Sequence, residues 1–308
     1  MAKNNKQNVM IEDFTQRYID TLSRLAGAGP RSYGFEYEFL SRRPLSLDDM
    51  DNMFHLLSDA GFLNEGDEFI ADHGIRIAFE PGGQIEYCSP PIVAMDDTLL
   101  NTVIEFINHT NAQIKKQLGI EYVGTGYVQG RADEPLCLTS DRYVKLHKRL
   151  ADTGTRGLEM MKGTASIHMH VVILCLDELL PLFNTLCQLS ISEDFKMSFQ
   201  RRRIWDNTDP ARCGCPPCCF AKLDTPEELI RRLIRFALDA EVIGEDVSFE
   251  NLSNPSFESF LYHMTTLFTD VRFNLKGPTL ELRTLDSMMP DMFKSKWKMF
   301  IAIVSRQL

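Results

Sequence analysis

The chain has 308 residues, 44% hydrophobic and 25% charged, with 18 Gly and 14 Pro. This composition suffices to bury a large core and excludes bulk disorder, collagen-like repeats and coiled coils. Lys plus Arg number 33 against 43 Asp plus Glu, a formal net charge of −10, so long-range attraction to a polyanion is not expected and nucleic acid is not an expected partner.

The first ten residues, MAKNNKQNVM, are polar and lack the apolar core of a secretion signal. Helical periodicity runs over residues 11–25 and 45–60, the latter opened by Ser46 and Asp49 at capping-box spacing, and again over 96–118 and 225–240. Strand patterns fall at 34–40, at 75–87 with a break at Pro81-Gly82-Gly83, and at 122–129, 164–174 and 279–285. The most apolar stretch, 171–183, is cut by Asp177, Glu178 and Pro181 and falls short of the roughly 20 apolar residues that cross a bilayer. No membrane segment is therefore expected. The reading is of a cytoplasmic protein whose eight cysteines are reduced thiols. Strands and helices alternate without the rhythm of a parallel doubly wound sheet, which favours an α+β layout around an antiparallel sheet. No repeat or linker marks a boundary, so residues 1–308 are expected to form one domain with helical insertions.

Several strands repeat a polar residue two positions on, where side chains share a face. Glu36 and Glu38 do so in GFEYE, His168 and His170 in SIHMHV, and Glu281 and Arg283 in LELRT. Glu80 and Glu86 in FEPGGQIEY share a face if the glycine turn keeps parity. Any one pair taken alone reads first as a solvated sheet face. Together, five carboxylates need cations to offset their repulsion, and carboxylate oxygen suits Mg²⁺ or Mn²⁺ completed by phosphate. Arg201, Arg202, Arg203, Arg212, Lys162 and Arg283 supply positive charge around these strands, a composition suited to a nucleoside triphosphate. The other reading of Arg201 to Arg203 is a solvated helix end. There is no G-x-x-x-x-G-K-[ST] loop, and GTGYVQG from Gly124 to Gly130 has one residue too many for a dinucleotide fingerprint.

In chain order, GFEYE, FEPGGQIEYCSPP, GTGY, RYxxLHKRLxxxGTRGLEMMKGTASIHMHV, RRRIWDNTDPARCG, LYHMTTLFTDVRF and TLELRTLD resemble the plant-type glutamate-cysteine ligases and related bacterial carboxylate-amine ligases over residues 32–286. The resemblance implies a glutamine-synthetase-like catalytic domain, a curved antiparallel sheet with helices on its outer face and a Mg-ATP site in the concavity. It implies Glu36, Glu38, Glu80, Glu86 and Glu281 as Mg²⁺ (or Mn²⁺) ligands. His168 would lie near metal or phosphate, and Arg283 would face the transferred phosphoryl group. Arg201 and Arg212 would bind substrate carboxylate or phosphate, with Lys162, Arg203 and Trp205 beside the nucleotide. The implied reaction activates the γ-carboxylate of glutamate as an acyl phosphate, which the amine of cysteine attacks with release of ADP and phosphate. This is the ligation step of glutathione biosynthesis, and a homo-oligomer is compatible with it.

Three features depart from the plant-type pattern. His168 and His170 stand where those enzymes tend to carry Gln and Asn, which is closer to the bacterial relatives. Only 25 residues follow Arg283, whereas the plant-type enzymes continue into a further helical region, so a more open cleft, a wall supplied by a neighbouring subunit or an acceptor amine other than cysteine is compatible with the reading. Cys213, Cys215, Cys218 and Cys219 crowd into seven residues. They read as free thiols, with a thiol-bound metal or a redox-responsive binding protein as the alternative.

Overall fold

The computed structural model describes residues 2–25, 29–66, 68–94, 96–216, 218–245, 247–274 and 278–307. Helix α1 (Ala2–Leu25) leads to strand β1 (Ser32–Ser41), helix α2 (Leu47–Asp59) and strands β2 (Leu63–Glu65), β3 (Glu68–Ile70), β4 (Arg76–Phe79), β5 (Ile85–Cys88) and β6 (Ile92–Val93). Next come α3 (Asp97–Leu118), β7 (Tyr122–Val123), α4 (Asp141–Thr153), α5 (Gly157–Gly163), β8 (Ser166–Val172), α6 (Leu179–Ile191) and α7 (Phe199–Trp205). The chain continues through β9 (Cys213–Gly214), α8 (Pro226–Asp239), α9 (Phe257–Met264), β10 (Phe268–Thr269), β11 (Val271–Asn274), β12 (Thr279–Asp286) and α10 (Pro290–Val304).

The fold is α+β. Ten strands form one open antiparallel sheet in the order β11-β12-β8-β1-β5-β4-β3-β2, with β6 and β7 also pairing with β1. β9 and β10 make a separate parallel pair. The two-residue alternation divides the sheet into a core face and a cleft face. In β1, Tyr33, Phe35, Tyr37 and Phe39 are buried on the core face, and β8 matches them with Ile167, Met169 and Val171. Helix α10 covers this aromatic surface: the ring of Phe293 lies 4.9 Å from that of Phe35, and Trp297 5.4 Å. Each such side chain taken fully out of water contributes about 1.5–3 kcal/mol, so the core face fixes which strand residues are left to point the other way.

The periodic helices form at the expected places. Ser46 accepts from the Asp49 amide while the Asp49 carboxylate accepts from the Ser46 amide, completing the capping box of α2. Asp96 and Thr225 cap α3 and α8. Helix α1 begins earlier than its periodicity predicts, and Ile11, Phe14, Tyr18 and Leu22 form its buried stripe. Helices α4, α5, α6, α7, α9 and α10 are not among the predicted elements. α5 and α7 are seven residues long and α9 eight, too short to show a period. α6, LLPLFNTLCQLSI, is apolar on most sides and reads as a buried run. No described helix is long and apolar enough to cross a membrane.

The strand expected over 122–129 is a difference. Only Tyr122 and Val123 join the ladder, and Tyr127 makes an isolated bridge to Thr164. Gly124 and Gly126 press the segment onto the end of β12: a Cβ on Gly124 would overlap the Met288 carbonyl, and one on Gly126 the Asp286 carboxylate. The glycines thus serve close approach of backbone rather than strand pairing. Gly124→Ala should lower the melting temperature by roughly 3–8 °C through overpacking, measurable by calorimetry, whereas Ala at Gly29, where a Cβ meets nothing within 4 Å, should leave it nearly unchanged.

Candidate active site

The face of the sheet opposite the aromatic core floors a cleft of about 740 Å³. Strand register brings the alternating polar residues into it. Glu36 stands opposite His168, Glu38 opposite Glu86, and Glu281 opposite His170. The β4–β5 turn keeps parity: the Gly83 amide donates to the Glu80 carbonyl at 2.8 Å, and Gly83 takes φ +78°, the left-handed geometry that glycine adopts without strain. Glu80 therefore shares the cleft with Glu36, Glu38, Glu86, His168, His170 and Arg283. Glu281 lies fully buried beneath them.

These groups form one network. His168 Nδ1 is 2.8 Å from Glu36 Oε2 and 3.5 Å from Glu281 Oε1, and its Nε2 is 2.7 Å from Ser166 Oγ. The Ser166 amide donates to Glu38 Oε2 at 2.7 Å. Arg272, on the neighbouring strand, donates to Glu281 through Nε at 3.0 Å, and Arg283 donates to the same carboxylate. Burial would raise the pKa of Glu281, but Arg272 and Arg283 outweigh it and hold the group down to about 2. Glu36 is half-buried, which would also raise it, yet it is held well below the usual carboxylate range by His170 and His168. Across the cleft the balance reverses. Burial, reinforced by Glu38, pushes Glu80 up to about 8, and burial with Glu36 raises Glu86 well above its ordinary value.

Two sets of donors converge tightly enough to hold a cation. In Glu36, His170 and Glu281, and in Glu36, Glu86 and His168, one ligating atom from each residue lies within 4.8 Å of the others. His170 Nε2, 3.5 Å from Glu36 Oε1, is buried without a hydrogen bond. A buried donor or acceptor left unpaired is costly, and a divalent ion bound there would satisfy it together with the surplus negative charge. The carboxylate and imidazole set fits Mg²⁺ or Mn²⁺.

Other expected site residues lie elsewhere. Trp205 reaches the cleft wall with its Nε1 tied to the Phe268 carbonyl at 3.1 Å. Arg201 is fully buried behind it, donating to the backbone carbonyls of Arg283 at 2.9 Å and Thr284 at 3.2 Å and to Asp286 at 3.0 Å. It braces β12 rather than meeting ligand. Arg212, also fully buried, is spent on Asp209, Thr266 and the Glu241 carbonyl. Lys162 donates to the Glu134 carbonyl at 2.6 Å, and the Arg203 guanidinium sits 5.7 Å from the Phe199 ring centroid. Direct ligand contact by Arg201, Arg203, Arg212 and Lys162 therefore has no support in the geometry, because protein groups already occupy three of these cations and the fourth lies outside the cleft.

Arg272 and Ser166 enter the network although the sequence reading did not single them out. Arg272 carried a visible signal, a lone charge in the apolar run VRF beside a charged strand. Cys219 lies within hydrogen-bonding reach of Cys187 on α6 and of Cys215. All eight cysteines are free, and among the described residues no three sulfur atoms gather closely enough to hold a metal.

The acidity shifts imply a pH-dependent stability. Glu80, and His170 whose partner Glu36 raises it despite burial, bind protons more tightly folded than unfolded, so their contribution is lost as pH rises toward and through the folded values. Metal-free protein should accordingly lose thermal stability between pH 6.5 and 8, and saturating Mn²⁺ should flatten the slope. Differential scanning calorimetry across that range checks both expectations, with Glu80→Gln reducing the slope.

No curated protein matches the chain. The family model for glutamate-cysteine ligase family 2 matches residues 33–189, which span β1 to α6 and carry Glu36, Glu38, Glu80, Glu86, His168 and His170. That range covers half of the chain and all of the acidic floor except the β12 pair, and on it this chain belongs to glutamate-cysteine ligase family 2.

Proposed function

We propose that this chain is an ATP-dependent, ADP-forming carboxylate-amine ligase, with glutamate as the acid and cysteine as the amine. The observation that carries the reading is the convergence of Glu36, Glu86, Glu281, His168 and His170 in two cation-sized sets beside Arg283 at the floor of one cleft. Mg²⁺ or Mn²⁺, held there by Glu36, Glu86, Glu281, His168 and His170, would neutralise phosphate charge. The side chains do the rest by position and charge. Arg283, anchored by Glu281 and with Nη1 3.4 Å from His168 Nδ1, faces the phosphoryl group as it passes to the substrate carboxylate. The acyl phosphate formed has a good leaving group, so the amine attacks it without a nucleophilic side chain, and phosphate departs. Cys88, whose thiol is kept protonated by burial and donates to Glu86 at 3.3 Å, takes no part. Trp205 supplies the apolar wall for the nucleotide. The site takes small molecules, a reading with which the chain's net charge of −10 accords.

The test is incubation of the full chain with Mg-ATP and glutamate, with and without cysteine, following phosphate release and product mass. Amine-dependent ADP formation with a γ-glutamyl product is expected. ADP formation with a different amine would retain the ligase and replace the acceptor, whereas no nucleotide turnover with any acid and amine would overturn the proposal. Glu281→Gln and Arg283→Ala should each lower kcat by about 100-fold or more, with circular dichroism confirming retained fold.

A further inference from the structure

Four arginines line the cleft: Arg76, Arg142, Arg272 and Arg283. Three are matched to carboxylates, Arg76 to Glu68 at 3.1 Å and Arg272 and Arg283 both to Glu281. Among the described residues Arg142 has no ion pair. Its guanidinium lies 5.6 Å from the ring centroid of Tyr143, its neighbour on α4, and 5.8 Å from that of Tyr262 on α9. Two helices far apart in sequence thus meet at the rim of the cleft around one exposed cation. Aromatic faces attract a guanidinium without consuming its N–H donors. The planar fork is therefore held in place with its hydrogen-bonding edge available, the arrangement that accepts a carboxylate through two parallel bonds.

The position of the fork is as informative as its freedom. Glu80 feels the positive charge of both Arg142 and Arg283, so the two guanidiniums act on a single carboxylate from the rim and from the floor. An acid that presents one carboxylate to Arg283 must bring any second one into a cleft already crowded with glutamates. It will be repelled unless a cation that is not already neutralised receives it.

The geometry points to Arg142 as the receptor for the second, non-reacting carboxylate of the acid substrate, which makes the cleft selective for dicarboxylic amino acids over monocarboxylic ones. This assignment rests on the proposed ligase reaction and adds the residue that sets its choice of acid. Tyr143 and Tyr262 hold the fork and contribute no charge of their own. A triphosphate is the less suitable occupant, because its charge belongs with the cations of the floor and a rim fork between two rings presents one planar edge.

The experiment compares glutamate with 4-aminobutyrate, which keeps the reacting carboxylate and lacks the α-carboxylate, at saturating Mg-ATP and amine. The wild-type chain should favour glutamate in kcat/KM by roughly 10–100-fold, the usual worth of a charged bidentate contact. Arg142→Gln should remove that preference by lowering kcat/KM for glutamate while leaving 4-aminobutyrate and the KM for ATP unchanged. Arg142→Lys, which keeps the charge without the fork, should fall between. An equal loss on both acids would assign Arg142 to closing the cleft, and a raised KM for ATP would assign it to the nucleotide; either result overturns the inference. If the wild-type chain turns over neither acid, the ligase reading fails separately, and calorimetric titration with glutamate decides the subsite. Binding weakened about tenfold or more in Arg142→Gln supports it, and equal binding refutes it.

Discussion

Negative charge packed closer than electrostatics favours is the constraint on which the cleft depends. Two unit charges 4 Å apart at an effective dielectric of about 20 repel by about 4 kcal/mol, and five glutamates share this site. The protein resolves the conflict in two ways on the two sides of β1. On the β8–β12 side, Arg272, Arg283 and the two histidines keep Glu281 and Glu36 ionised. On the β4–β5 side burial and the neighbouring carboxylates outweigh the charges of Arg142 and Arg283, and Glu80 and Glu86 tend to retain a proton. The half whose cations are outweighed is the half most altered when an external one arrives.

Holding such a cluster together requires a rigid support, and the aromatic core provides it. Tyr37 and Phe39 stack with ring centroids 4.5 Å apart, and Phe35 and Tyr37 both meet Phe293 on α10. The residues between them, Glu36 and Glu38, have no freedom to turn away from the cleft, because a one-residue slip would bury both carboxylates under α10 and expose three large rings. The hydrophobic effect thus does electrostatic work: burial on one face fixes unfavourable proximity on the other.

Much of this was legible in the sequence because a strand has a period of two. The pairs Glu36/Glu38, His168/His170 and Glu281/Arg283 declared their common face without coordinates, and Gly82-Gly83 marked the turn that carries Glu80 back beside Glu86. The family match over residues 33–189 spans the first two of these pairs and the glycine turn, but not Glu281 and Arg283. What the sequence could not reveal is whether a charge is already satisfied. Arg201 and Arg212 look like ligand-binding cations when read in RRRIWDNTDPARCG, yet Arg201 is taken up by β12 carbonyls and Asp286, and Arg212 by nearby Asp209 and by the distant Thr266 and Glu241 carbonyls. Arg142 presents the opposite case, inconspicuous in RYVKLHKRL because its significance is that, among the described residues, it lacks the ion partner that tertiary structure supplies to its neighbours in the cleft. Short helices such as α5 and α7 escaped notice for a different reason, since seven residues complete barely two turns.

The buried Arg201 has a mechanical meaning as well. Its guanidinium fastens α7 to the β12 carbonyls of residues 283 and 284 and lies 4.9 Å from the Trp205 ring. Trp205 in the wall and Arg283 in the floor are thereby parts of one stiff body. Helix α4 belongs to the same body, since its Leu146 and Leu150 pack with Trp205 and its Arg149 pairs with buried Asp209 at 3.2 Å, so a change at Arg201 is passed to wall and floor together.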